Sequence, residues 1–169
     1  MVTIRAETET DSAAVRKVNE RAFGGADEAT LVEALRSAVT PYVSLVAVEN
    51  EQIIGHIFFS PVTIENPGAI RRAFGLAPMA VAPDSQRRGV GSLLVKRGLE
   101  ECQRLDVDIV VVVGHRDYYP RFGFRPAGEL GLTCEYDVAP EEFMVLELRN
   151  GALAGVKGLV KYHETFAAF

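Results

Sequence analysis

The sequence predicts a mixed α/β fold, built as a single domain over residues 1–169. Three consecutive segments rich in β-branched and aromatic residues lie in the first half of the chain, which is typical of an antiparallel meander. Segments with helical periodicity precede and follow them, and the later one leads into a strand of almost pure valine and isoleucine. A length of 169 residues is also ordinary for one domain.

The N-terminal part of the chain is predicted to contain one short strand and two helices. Val2–Arg5 has the composition of a strand. Asp11 is a suitable N-cap, and apolar residues recur after it at helical spacing until the Gly24-Gly25 pair ends the helix. A second amphipathic helix begins at Asp27.

The periodicity then changes from helical to extended. Ser44–Glu49 and Gln52–Thr63 are predicted strands joined by a hairpin turn at Asn50-Glu51, and Ala73–Val81 is the third strand. These three strands form the predicted meander.

A strand–helix–strand unit follows. A helix is predicted over Val90–Leu105, with its apolar residues on one side. The next strand, Val107–Val113, is apolar throughout, which indicates burial on both faces and a parallel partner reached by a right-handed crossover. Further strands are predicted at Leu132–Tyr136, Phe143–Leu148 and Val156–Tyr162.

The composition excludes several functional classes. Eighteen Lys and Arg against 23 Asp and Glu give a net charge of −5, so the chain lacks the basic field of a nucleic-acid or membrane-surface protein. Its longest aliphatic run, Ile109–Val113, is far shorter than the ~20 residues of a bilayer-spanning helix. The N-terminus has no secretion signal, and the isolated Cys102 and Cys134 form no CxxC motif. A cytoplasmic location is therefore expected.

The most informative segment joins the third meander strand to the following helix, and it reads Met79-Ala80-Val81-Ala82-Pro83-Asp84-Ser85-Gln86-Arg87-Arg88-Gly89-Val90-Gly91-Ser92. We call residues 82–89 the glycine turn. Backbone N–H groups at a helix start have no intrahelical partner, and the helix dipole is positive there. Glycine at positions 89 and 91 would let an anion approach these amides, and Arg87 and Arg88 add positive charge. The segment therefore predicts a site for a phosphate or a pyrophosphate.

Two common nucleotide-binding motifs do not fit this segment. The dinucleotide fingerprint would require a third glycine at position 94, where Leu94 stands. A P-loop would require Gly-Lys-Ser/Thr, which is absent. A glycine-rich turn with two solvated arginines, in which glycine serves only close packing, is the alternative that the residues leave open.

Two motifs and the order of the elements resemble a known family. Gln86–Gly91 matches the Gln/Arg-x-x-Gly-x-Gly/Ala signature of the GCN5-related N-acetyltransferases (GNAT family), and Tyr119–Phe124 resembles its Tyr-x-x-x-Gly-Phe element. The run Tyr118–Phe124 is similar to that of a bacterial branch of predicted acetyltransferases. The resemblance covers essentially the whole chain. It implies a GNAT-like fold, in which a mixed central sheet is splayed between its fourth and fifth strands and carries helices on both faces.

The resemblance also implies acetyl-CoA as the co-substrate, without a metal. Met79, Ala80 and Val81 would run beside the pantetheine arm like an added strand, with an amide near Met79 facing the thioester carbonyl. The main-chain amides of Arg87 through Ser92 would hold the pyrophosphate. The implied cofactor-binding residues are Met79, Ala80, Val81, Gln86, Arg87, Arg88, Gly89, Val90, Gly91 and Ser92.

The resemblance assigns the role of general acid to Tyr119, which would protonate the departing thiolate. A packed tyrosine whose hydroxyl is bonded to backbone is the alternative reading. Many relatives carry a glutamate base on the central strand, but Ile109–Val113 has no carboxylate. His115, at the carboxyl end of that strand, is the first candidate for the base. His56, Asp117, Glu28 and a water-mediated route are the others.

The predicted function is transfer of an acetyl group from acetyl-CoA to a primary amine by direct attack in a ternary complex. The alternative outside the enzymes is a module that binds acyl-CoA without catalysing any transfer. A longer acyl group is a third reading, which depends on the pocket near Phe58, Phe59 and Met79. The acceptor is a small-molecule or peptide amine, with neither nucleic acid nor membrane as partner. Phe166 and Phe169 could serve a homodimer or pack within the chain.

Overall fold

Strands and helices follow one another in the predicted order in a computed structural model, which describes residues Met1–Phe169. The chain forms two compact units. Unit 1 comprises residues 1–60, 77–101 and 164–169, and unit 2 comprises residues 61–76 and 102–163. None of the helices combines the length and the apolar character that a membrane crossing demands.

The first five elements agree closely with the sequence prediction. They are β1 Thr3–Ala6, α1 Ser12–Phe23, α2 Asp27–Ala38, β2 Val43–Glu49 and β3 Gln52–Asn66. β3 is longer than predicted, and its continuation beyond residue 63 pairs with a late strand of unit 2.

Local backbone geometry explains two of the boundaries. Gly24 ends α1 with a φ of +75°, in the left-handed region that glycine adopts at little cost. Asn50 and Glu51 have φ values of +50° and +63°, as a tight hairpin turn between β2 and β3 requires. Asp11 immediately precedes α1, but the prediction that its side chain caps the helix is wrong. Its carboxylate instead accepts the Thr8 N–H at 2.7 Å and pairs with Arg5.

The remaining elements confirm the predicted strand–helix–strand unit. They are β4 Ala73–Val81, α3 Val90–Arg104, β5 Ile109–Val113, β6 Arg125–Pro126, β7 Leu132–Cys134, β8 Phe143–Glu147 and β9 Lys157–Lys161. β4 has the predicted bounds, and the other predicted strand ends shift by one or two residues. The two-residue β6 is missing from the sequence prediction.

The sheet is mixed, as predicted. Its strand order is β1-β2-β3-β4-β5-β8-β6, and β9 pairs with both β3 and β7. β4 and β5 are parallel and pair only from Ala73↔Ile109 to Gly75↔Val111. The residues of β5 from Ile109 to Val112 are fully buried, as their composition indicated.

Helices pack on both faces of the sheet in unit 1, which confirms this part of the predicted fold. On one face, Phe58 packs with apolar residues of α1 and α2, including Val15 and Leu35. On the other face, α3 lies so close that a Cβ at Gly98 would overlap the Phe59 ring. Alternate residues of β3 thus serve opposite layers.

A chain of hydrogen-bonded polar side chains crosses the α1/α2 face of unit 1. The His56 ring lies between Asn19, whose Nδ2 is 3.3 Å from Nδ1, and Ser44, whose Oγ is 2.8 Å from Nε2. The Ser44 hydroxyl donates to Glu7, which also binds the Arg36 guanidinium. Burial, reinforced by the positive charge of Arg36, lowers the pKa of His56 to about 3. His56 is therefore neutral at physiological pH.

This histidine predicts a pH dependence of stability. Its pKa in the folded protein is about 3, below the 6.5 of a free histidine, so the unfolded chain binds the extra proton between these values. Stability is therefore fully present above pH 6.5 and falls as the pH drops towards 3. Urea unfolding at pH 7.5 and pH 5 should show a loss of roughly 2 kcal/mol. His56→Gln should flatten this slope, whereas an unchanged slope would contradict the assignment.

Candidate functional site

The glycine turn is anchored at both ends by backbone hydrogen bonds within unit 1. At its start, the Ala82 N–H donates to the Ile54 carbonyl of β3 at 2.8 Å, and the Ser85 N–H donates to the Ala82 carbonyl. The Gln86 side chain turns back to donate from Nε2 to the Val81 carbonyl at 3.0 Å. At its end, the first turn of α3 closes with the Leu93 N–H on the Gly89 carbonyl.

The end of this turn has the geometry of an anion site. α3 begins at Val90, so the amides of Val90 and Gly91 precede the first intrahelical donor and have no acceptor within the helix. Gly89 has a φ of +82°, and a Cβ built on it would meet no atom within 4 Å. The space beside Gly89 is therefore open, and an anion there would meet the positive end of the α3 dipole.

The two arginines of the turn are placed differently. Arg88 forms a two-point ion pair with Glu49 at the end of β2, at 2.6 and 3.1 Å. This partner lowers the pKa of Glu49 and raises that of Arg88. Arg87 is exposed and has a left-handed φ of +63°. The Glu49–Arg88 pair was missed in the sequence because nothing in the local pattern relates residues so far apart.

β4 leads into the turn with alternating exposure. Ala80 is buried, whereas Met79 and Val81 are half-buried on the opposite side of the strand. Pro78 has no N–H, so β4 cannot donate a ladder hydrogen bond at that position. Across from Ala80, Gly55 of β3 makes room for the first turns of α3, since its Cβ would lie 3.0 Å from Leu94.

Tyr119 lies in unit 2, where a 3-10 turn, Tyr119–Phe122, follows β5. Its ring packs edge-on against Tyr118 and Phe124, with centroids 5.1 and 5.6 Å apart, and only 8% of the residue is exposed. Gly114 creates the space, because a Cβ there would overlap the Tyr119 ring. Burial raises the pKa of Tyr119 to about 12. The phenol is therefore protonated throughout the physiological range.

The candidate bases occupy contrasting environments. His115 is exposed just after β5, and its carbonyl accepts the N–H groups of Tyr118 and Tyr119. His56 is fully buried, with both ring nitrogens bonded inside unit 1. Asp117 is exposed, and Glu28 is half-buried in the first turn of α2.

Neither cysteine is an activated nucleophile. Cys102 is fully buried on α3, and burial raises the pKa of its thiol to about 12. Burial is also the main cause that raises the pKa of Cys134. Both side chains therefore stay in the unreactive thiol form at neutral pH.

Comparisons with known proteins agree with this fold. A family model described as an acetyltransferase (GNAT) domain matches residues 3–127. The N-acetyltransferase YhbS of Escherichia coli strain K12 is 36% identical over 167 residues, which cover 98% of this chain and 99% of the relative. The N-acetyltransferase YjhQ of the same strain is 38% identical over 135 residues, covering 78% of this chain and 74% of YjhQ.

Two solved structures have the same architecture. The crystal structure of the E. coli GNAT family N-acetyltransferase YhbS in complex with CoA has a TM-score of 0.91 and 35% identity, covering 99% of this chain and 93% of that one. A GNAT family acetyltransferase from Brucella melitensis in complex with acetyl-CoA has a TM-score of 0.79 and 34% identity, covering 98% of each chain. The chain therefore belongs to the GNAT family of acetyltransferases, as its motifs indicated.

Proposed function

We propose that this protein transfers an acetyl group from acetyl-CoA to a primary amine by direct attack in a ternary complex, within a single domain of residues 1–169. The observation that carries the proposal is the junction between the glycine turn and α3. There the Val90 and Gly91 amides lack intrahelical acceptors, and the space beside Gly89 is open. A diphosphate is the chemical group that this arrangement fits. The CoA and acetyl-CoA bound to the two similar structures support the same cofactor here.

The backbone of the turn, more than its arginines, would hold the diphosphate. The amides of Arg87, Arg88, Gly89, Val90, Gly91 and Ser92 are the proposed donors. Arg88 is held by Glu49, so its guanidinium is not available without breaking a two-point ion pair. Gln86 is bonded to Val81 and shapes the start of the turn. Met79, Ala80 and Val81 would run beside the pantetheine arm, with the Met79 N–H facing the thioester carbonyl.

Direct transfer is favoured over a covalent acyl-enzyme. An acyl-enzyme would need a thiolate, and burial raises the pKa of Cys102 to about 12. In the direct route the amine nitrogen forms a bond to the carbonyl carbon, and the C–S bond then breaks. The sulfur leaves as a thiolate that needs a proton, and the new amide nitrogen must lose one.

Tyr119 is the proposed donor of the proton to sulfur. Its pKa of about 12 keeps the phenol protonated, which is the form that an acid requires. Burial makes it a weaker acid than a free phenol. His115, or a water molecule that it positions, is the proposed acceptor of the amine proton, because it is exposed just after β5 and a neutral imidazole has a nitrogen that can accept a proton.

The hypothesis that the protein transfers a longer acyl group depends on a pocket near Phe58, Phe59 and Met79, and the structure gives it little support at the two phenylalanines. Phe58 and Phe59 are fully buried and pack against Tyr42 and against Gly98, so neither ring borders open space.

Phe166 packs on the apolar cluster of α1 and α2, which leaves Phe169 as the exposed tail aromatic for a homodimer contact. The acceptor would be a small-molecule or peptide amine, and the two free cysteines fit a reducing cytoplasm.

Gly89→Asp tests the cofactor assignment. The substitution places a carboxylate in the open space beside the amides, so it should weaken CoA binding by at least about tenfold through repulsion and lost access. Isothermal titration calorimetry with CoA measures the effect. Gly151→Asp is the matched control, because Gly151 has a similar φ of +79° and equally open surroundings in unit 2. Equal affinity of both variants for CoA would contradict the assignment.

Tyr119→Phe tests the acid. Removal of the hydroxyl should lower kcat by about 100-fold or more with acetyl-CoA and an accepted amine, since general acid catalysis contributes that much. The dissociation constant of CoA should stay unchanged. Tyr118→Phe is the control, because it removes the neighbouring phenol while keeping the packed ring.

Release of free thiol from acetyl-CoA in the presence of a panel of primary amines provides the assay. Full turnover by Tyr119→Phe would show that another group protonates the sulfur. If the unmodified protein binds CoA tightly but releases no thiol with any amine, the result would instead favour the non-catalytic binding module. The absence of a carboxylate on β5 is the sequence feature that favours this alternative.

A further inference from the structure

The side chain of Tyr119 is held in unit 2 by ring packing alone. Only 8% of the residue is exposed, and its ring lies edge-on to the rings of Tyr118 and Phe124. Its hydroxyl makes no hydrogen bond to the protein. The position of the proposed acidic proton therefore depends entirely on the atoms that surround the ring.

Gly114 lies against one edge of this ring. A Cβ on Gly114 would overlap Cε2 of Tyr119, and it would lie 2.9 Å from Cδ2 and 3.3 Å from Cζ, the carbon that carries the hydroxyl. Ordinary contact between two carbon atoms needs about 3.5–4.0 Å. With a β-carbon at position 114, the ring would therefore have to move by about 1 Å or more.

The backbone conformation of Gly114 does not itself require glycine. Its φ lies outside the left-handed region, in contrast to the φ of +98° at Gly123, which ends the 3-10 turn of Tyr119. Residues with a side chain adopt such a conformation without strain. All three atoms nearest to a Cβ built on Gly114 belong to the Tyr119 ring. The need for glycine at this position therefore comes from that ring.

Hydrogen bonds fix the backbone on both sides of this contact. The Gly114 N–H donates to the Glu142 carbonyl at 2.9 Å, directly before β8. The carbonyl of the next residue, His115, accepts the N–H groups of Tyr118 and Tyr119 at 3.0 and 3.3 Å. An overlap at position 114 would therefore displace the ring, which no hydrogen bond holds, before it displaces the backbone.

We propose that Gly114 is a positioning residue for the acid Tyr119, and that the missing side chain at position 114 lets the phenol reach the departing sulfur. This inference rests on the proposed acetyltransferase function and deepens it, because it names the residue that sets the position of the acid. Gly114 acts only through Tyr119. A shift of about 1 Å in a reacting group can lower a rate by about 100-fold.

Gly114→Ala tests the inference. The variant should lower kcat for thiol release by about tenfold to 100-fold, because the displaced hydroxyl no longer meets the sulfur. The dissociation constant of CoA, measured by calorimetry, should stay unchanged, since position 114 lies outside the glycine turn.

Gly75→Ala is the matched control in unit 2. A Cβ on Gly75 would lie 2.7 Å from Cε2 of Tyr162, so this variant introduces the same kind of overlap between a β-carbon and a buried ring. Both variants should lower the melting temperature, because both disturb a packed ring. Only Gly114→Ala should lower kcat.

A double-mutant cycle with Tyr119→Phe separates the positioning of the hydroxyl from general damage to the site. Phenylalanine keeps the ring, so the overlap with a β-carbon at position 114 persists, but no hydroxyl is left to misplace. The double variant should therefore have the kcat of Tyr119→Phe alone. If the two reductions in kcat multiply instead, Gly114→Ala acts by another route and the inference is wrong.

Phe124→Leu is a second variant that does not depend on whether Gly114→Ala folds. It introduces no overlap, but it removes the edge contact between Phe124 and the Tyr119 ring, whose centroids are 5.6 Å apart. The loosened ring should give a lower kcat, and this effect should vanish in the Tyr119→Phe background. An unchanged kcat would contradict the premise that packing alone holds the phenol.

The outcomes distinguish this inference from the proposed function. Full kcat in Gly114→Ala, together with slow turnover in Tyr119→Phe, would overturn the positioning role and leave the proposed function standing. Full turnover in Tyr119→Phe would overturn the role of Tyr119 as the acid, and the role of Gly114 with it, but not acetyl transfer. Absence of thiol release by the unmodified protein with every amine would overturn the proposed function itself.

Discussion

The start of α3 is the constraint on which the proposed chemistry depends. An α-helix cannot satisfy its own first amides, and here Val90 and Gly91 follow directly after a glycine with open space beside it. The hydrogen bonds of Ala82, Ser85 and Leu93 hold the turn in place from both ends. A rigid set of amides costs little reorganisation when an anion binds, which is why a backbone site can suffice while Arg88 is paired to Glu49.

Close contacts between glycine and an aromatic ring recur in both units. Gly98 admits the Phe59 ring beneath α3, and Gly114 admits the Tyr119 ring after β5. Gly75 does the same for Tyr162. In each case a single Cβ would overlap the ring, so the ring position is determined by the absence of that atom. The ring of the proposed acid Tyr119 is thus placed by the same kind of contact that fixes Phe59 and Tyr162.

Local sequence signals predicted most of the fold and part of the site. The bounds of β4 and α3 follow from composition and helical periodicity, and the hairpin at Asn50 follows from turn chemistry. The pairing of β9 with β3 and β7 joins segments far apart in sequence, and no local pattern encodes it. The Arg88–Glu49 pair was missed for the same physical reason, since its two side chains meet only after the chain has folded.

A crystal structure of this protein with bound CoA tests the central claim most directly. Pyrophosphate oxygens should lie within hydrogen-bond distance of the main-chain nitrogens of residues 89–91, with Arg88 still paired to Glu49. A pyrophosphate bound at another surface, while these nitrogens donate to protein atoms, would contradict the account.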